Sequence, residues 1–111
     1  MNSFKISLAQ FSPHIGNVAA NVQKMIELAN EAKQQNSNII VFPELSTIGY
    51  PAEDLLLRPS LTKRTAEAFA QLATVKDIVM VFGFVNQTEN GHRYNSATVM
   101  KDGQVLGIYN K

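Results

Sequence analysis

The chain has 111 residues, with ten Lys and Arg against nine Asp and Glu and a formal net charge of +1; this suits one compact domain, and its scattered basic residues trace no phosphate backbone. It contains no cysteine, which excludes disulfides, thiolate metal sites and a cysteine nucleophile within these residues. At 45% hydrophobic and 17% charged the composition is globular, and no apolar run approaches the roughly 18 residues of a membrane span or the layout of a signal peptide, so a cytoplasmic protein binding neither nucleic acid nor membrane is expected.

From Phe4 to Gln10 the residues alternate, with Phe4, Ile6 and Leu8 on one side, and predict a first strand. Pro13 and Gly16 break it, and Asn17 stands where a helix cap is needed. Val18, Val22, Ile26 and Ala29, broadened by Met25 and Leu28, then recur at helical spacing to about Gln35. Ile39 to Phe42 are four successive apolar residues, too short for a helix and too uniform for a half-exposed strand, so they predict a central parallel strand. Strand, helix and strand imply a crossover unit, in which ligands gather beyond the carboxyl ends of the strands. Glu44 lies at that end.

Pro51, with Glu53 and Asp54 behind it, suits the first turn of a short helix. A longer helix is expected after Ser60, with Leu61, Thr65, Ala68, Phe69 and Leu72 inward. Beyond it "DIVMVFGFV", "RYNSATVMK" and "QVLGIYN" are separated by Asn90-Gly91 and Asp102-Gly103, strong hairpin signals because both turn positions favour positive φ. The fold class expected is therefore α/β: a mixed sheet with two main helices on one face. The other face, with Val79, Val81 and Val85, is left without a helix to cover it, and the chain reads as cut after "YNK".

Candidate chemistry is sparse. His14 and His92 lack ligand-spaced partners and read as surface polarity, and Met25, Met80 and Met100 as core filler. No phosphate-cradling glycine loop occurs. Glu44, between Pro43 and Leu45 at the mouth of a buried strand, is expected to be partly desolvated and hence a usable proton acceptor; position alone leaves a capping or ion-pairing role equally open. Tyr50 and Lys111, taken singly, read as a turn aromatic and a solvated end.

Together, "VFPEL" with Glu44, "GYP" just after it, "YNSATVM" at 94–100 and the G-x-Y-x-K ending at Lys111 resemble the start of the nitrilase, or carbon–nitrogen hydrolase, superfamily. "GYPAEDLLLRPSL", with Tyr50, Glu53, Asp54 and Arg58, looks closer still to the glutamine-hydrolysing domain of the glutamine-dependent NAD synthetase family. The resemblance covers essentially residues 1–111. It implies half of an α-β-β-α sandwich and a Glu-Lys-Cys amidase site, with Glu44 as general base, Lys111 as the cation facing the tetrahedral oxyanion and Tyr50 lining the glutamine pocket. A fixed cation aimed at developing negative charge is a strong catalytic device, and its proximity would offset the cost of burying Glu44.

The family's cysteine lies downstream of its lysine. These residues are thus expected to be the incomplete N-terminal part of a glutamine amidohydrolase domain, inactive alone and prone to self-association through the uncovered sheet face. The resemblance implies no cofactor within the segment, ATP and Mg in the full-length enzyme, a synthetase domain that consumes the ammonia, and a homo-oligomer. Another amidase of the superfamily, or a non-catalytic α/β assembly module with a structural Glu44, stands beside that reading.

Overall fold

The computed structural model describes residues 4–14, 17–48, 60–88 and 91–110. The elements run β1 (Ile6–Leu8), α1 (Val18–Gln34), β2 (Ile39–Val41), α2 (Ser60–Leu72), β3 (Val79–Gln87), β4 (Arg93–Lys101) and β5 (Gln104–Asn110). The five strands form one sheet in sequence order. β1, β2 and β3 are parallel, and β3, β4 and β5 antiparallel. This is the mixed sheet expected from the sequence.

Helix α1 has clear local causes. The Asn17 side chain accepts a hydrogen bond from the Ala20 N–H at 3.1 Å, satisfying one donor of the first turn. At the other end Asn36 adopts φ +65°, and the Ser37 and Asn36 N–H groups return to the carbonyls of Ala32 and Lys33. That closes the carboxyl end with a left-handed cap, which asparagine tolerates better than most residues. Val18, Val22, Met25, Ala29 and Ala32 are buried at the interval a 3.6-residue period demands. They meet Ala68 and Leu72 of α2 and the sheet residues Ile40, Met80, Phe82 and Met100 in one core. Phe69 packs edge-on against Phe82 and Phe84, with ring centroids 5.3 and 4.8 Å away, a geometry that adds about 1 kcal/mol beyond area burial.

Both helices therefore pack on the face presented by Ile40, Met80, Phe82 and Met100. Strand alternation places Ile6, Leu8, Ile39, Val41, Val79, Val81 and Val99 on the other face. Leu8 of β1 and Tyr109 of β5 are 73% and 67% exposed, while Val79 and Val81 are half-buried. The layers are those of one half of an α-β-β-α sandwich.

Two differences from the sequence reading have simple causes. β1 is three residues long rather than the expected span from Phe4 to Gln10, because it pairs only with β2, itself three residues long and followed by Pro43. Its apolar residues also lie on the open face, away from the helices. The Asp102-Gly103 hairpin is as expected, with φ of +52° and +83°. Gly91 also has φ +83°, whereas Asn90, the short helix expected after Pro51, and Leu61 as an inward residue lie outside what the structure describes.

Candidate active site

The segment that carries Glu44 is shaped by a mismatch in strand length. β2 stops at Val41, and after the Phe42 N–H donates to the Val81 carbonyl at 2.8 Å, Pro43 has no N–H with which to continue the ladder. The chain turns over residues 44–48, but β3 runs on, so its Gly83 has backbone groups with no strand beside them. The turn satisfies both. The Gly83 N–H donates to Ser46 Oγ at 3.2 Å, and the Gly83 carbonyl accepts from the Thr47 N–H at 3.2 Å and from Thr47 Oγ1 at 3.1 Å.

This contact is close enough to require glycine. A Cβ on Gly83 would lie 2.3 Å from the Leu45 nitrogen and 3.2 Å from the Glu44 carbonyl carbon. Leu45 itself has φ +52°, a left-handed conformation that costs a leucine on the order of 1–2 kcal/mol and persists only when its surroundings impose it. Here they include the buried Leu45, Ser46, Thr47 and Ile48 side chains.

A third support comes from α1. Asn21 is 1% exposed and sits on the helix's apolar stripe. Its Nδ2 donates to the His14 carbonyl at 2.8 Å and to the Thr47 carbonyl at 3.1 Å, while its Oδ1 accepts from the His14 N–H at 2.7 Å. One side chain thus ties together the loop after β1, helix α1 and the Glu44 turn. Asn21→Ala removes all three bonds from buried or half-buried ground, where an unsatisfied group costs about 1–3 kcal/mol. Urea denaturation is expected to show a loss of about 3 kcal/mol, at the upper end of that range.

The carboxyl ends of β1 to β3, the start of antiparallel β4 and the end of β5 all lie at the same end of the sheet as Glu44. Asn95 of β4 donates from Nδ2 to Glu44 Oε1 at 2.5 Å. Next to it, Ser96 Oγ donates to Asn110 Oδ1 at 2.6 Å, and Asn86 Nδ2 reaches the same oxygen at 3.0 Å. β3, β4 and β5 are thereby joined by side chains at the end of the sheet that holds Glu44. Leu8, Phe11, Val41, Phe42 and Pro43 line an open groove after β1 and β2.

Glu44 is exposed, not partly desolvated as its sequence position suggests. Its carboxylate projects toward Asn95, a residue that strand alternation assigns to the open face of the sheet. Lys111 and Tyr50 lie outside the described residues; Asn110, the position before Lys111, is registered opposite Ser96. Chemically, the arrangement is a carboxylate mounted on a braced turn and oriented by a neutral amide, able to take a proton from a group placed over the open face. Among the described residues no group of three or more His, Asp or Glu could hold a metal ion.

Residues 5–111 match the family described as carbon–nitrogen hydrolase. The chain belongs to that family. It is 75% identical over 111 residues to the glutamine-dependent NAD(+) synthetase of Acinetobacter baylyi, covering 100% of this chain and 20% of that protein. A solved structure of glutamine-dependent NAD+ synthetase from Acinetobacter baumannii, in complex with adenosine diphosphate, superposes with a TM-score of 0.95 at 75% identity, over 97% of this chain and 20% of the other. An amidase from Nesterenkonia sp., at 21% identity, shares the fold with a TM-score of 0.87 over 97% of this chain and 42% of its own. The chain thus spans about a fifth of the length of the synthetases it matches.

Sequence reasoning singled out Glu44 but not its supports. Two of them carried a signal: Asn21 is a polar residue on an otherwise apolar helix stripe, and Gly83 is an isolated glycine inside a strand, a frequent mark of close backbone approach. Asn95 lies within the "YNSATVM" segment that carries the family resemblance, where nothing local distinguishes it.

Proposed function

We infer that this chain is the N-terminal part of the glutamine-hydrolysing domain of a glutamine-dependent NAD synthetase. In this reading Glu44 is the general base, Lys111 the cation facing the oxyanion, and Tyr50 a wall of the glutamine pocket. The nucleophile is a cysteine supplied from outside these residues, none being present in them. Glu44 takes the thiol proton as sulfur attacks the side-chain amide carbon of glutamine, and the carbonyl electrons move onto oxygen, opposite the Lys111 ammonium. Collapse of the tetrahedral intermediate breaks the C–N bond, with the proton held by Glu44 passing to the departing nitrogen to release ammonia. Water, deprotonated by Glu44, then cleaves the thioester to give glutamate and restore the thiol.

The observation that carries the reading is the braced Glu44 turn. A glutamate serving only as a solvated loop residue would not need a left-handed leucine, a glycine admitting no Cβ and a buried asparagine to fix its backbone. Membership of the family and similarity along the whole chain to synthetases support the choice of glutamine. The reading extends to ATP and Mg2+ used by a separate synthetase domain, to a homo-oligomer and to a cytoplasmic location; no described helix is long and apolar enough to cross a membrane.

Assay of the full-length protein with glutamine, ATP and deamido-NAD tests the reading. Glutamate release coupled to NAD formation is the expected result. Hydrolysis of other amides without glutamine use would instead identify another amidase, and no amide turnover at all would favour an assembly module.

A further inference from the structure

Glu44 and Asn95 are 51 positions apart in sequence, and their hydrogen bond joins two independently fixed supports. On one side, the Glu44 backbone is held by the contacts of the next three residues with Gly83 and Asn21. On the other, Asn95 is registered against Val85 of β3, and its neighbour Ser96 is paired with Asn110 of β5 and bonded to it. The carboxylate lies between them on the open face. A glutamate side chain has three torsions, and this bond selects among the rotamers they allow.

The chemistry of the partner matters as much as its position. An amide N–H is neutral, so the bond it donates orients one carboxylate oxygen without adding a charge of its own beside the base. It cannot accept the proton that the base must take up. A donor of this kind therefore selects the rotamer while leaving the proton transfer to Glu44.

We propose that Asn95 is a positioning residue for Glu44, holding the carboxylate in the orientation that receives the nucleophile's proton. This rests on the reading of Glu44 as the general base. The effect is on the fraction of bound complexes poised to react, so it falls on kcat rather than on KM.

The test measures kcat and KM for glutamine, and the thermal unfolding midpoint, in the full-length protein carrying Asn95→Ala, Asn95→Asp or Glu44→Gln. Asn95→Ala is expected to lower kcat by about 10- to 100-fold, the worth of one hydrogen bond to a charged group, with KM and the midpoint little changed. Asn95→Asp keeps the shape but sets a second negative charge against the base, and is expected to lose more kcat than Asn95→Ala. Wild-type kcat in either Asn95 variant overturns the proposal, as does a loss carried by KM or by a matching fall in the midpoint. Should Asn95→Ala not fold, the isosteric Asn95→Asp decides by the same criteria. Wild-type kcat in Glu44→Gln would instead overturn the parent reading, so the two failures are told apart.

Discussion

Replacing Gly83 by alanine is expected to destabilise the fold by about 3 kcal/mol, the upper end of the range for overpacking a filled site. The reason is geometric. The added methyl would stand 2.3 Å from the Leu45 nitrogen, and a backbone atom, unlike the tip of a lysine, cannot swing aside. Either β3 must bow away from the Glu44 turn or the turn must lift, and both strain the bond that the Gly83 N–H donates to Ser46 and those that its carbonyl accepts from Thr47. Against a typical domain stability of about 5–15 kcal/mol the loss is large, and urea denaturation would measure it. With Glu44 as the proposed general base, activity should fall as well, because a displacement of about 1 Å at such a group can cost on the order of a hundredfold in rate. A variant as stable and active as the parent would show that the turn does not depend on this approach.

Glu44→Gln is expected to lower glutamine turnover in the full-length protein by about 10²- to 10⁴-fold, the usual contribution of a positioned general base. Glutamine matches glutamate in shape, and its carbonyl oxygen can still accept from Asn95 Nδ2, so the fold should be retained and the loss confined to chemistry. The kinetic signature is a fall in kcat and in kcat/KM by similar factors, since the interaction removed belongs to the transition state. A rise in KM with unchanged kcat would instead assign Glu44 to substrate binding. Measured together, the two variants separate support from chemistry: Gly83→Ala should move both stability and rate, and Glu44→Gln the rate alone.

The sheet was legible because its signals are local. Continuous apolar residues over Ile39–Val41, helical spacing from Val18 to Ala29, and the Asp102-Gly103 turn each prescribe an element without reference to distant chain. The open face followed from counting helices against sheet faces. Burial of Glu44 was not legible, because exposure depends on which way a turn residue projects, and Leu45 at φ +52° redirects the chain just there.

The supports were hidden for a different reason. Asn21, Gly83 and Asn95 act on the Glu44 segment across separations of 26 to 51 positions, and nothing in their immediate neighbours announces the partner. Asn21 could have been suspected, since a buried helix stripe excludes an amide unless its hydrogen bonds are satisfied. Which groups would satisfy it emerges only once β1, α1 and β2 are assembled.

In the proposed function these residues supply a base, Glu44, to a site whose cysteine comes from outside them. The most direct measurement is ammonia and glutamate release from glutamine by the 111-residue chain beside the full-length protein. Equal amounts of both products from the full-length protein and none from the chain alone are predicted. Glutamine hydrolysis by the short chain, which has no cysteine, or its absence from the full-length protein would contradict the account.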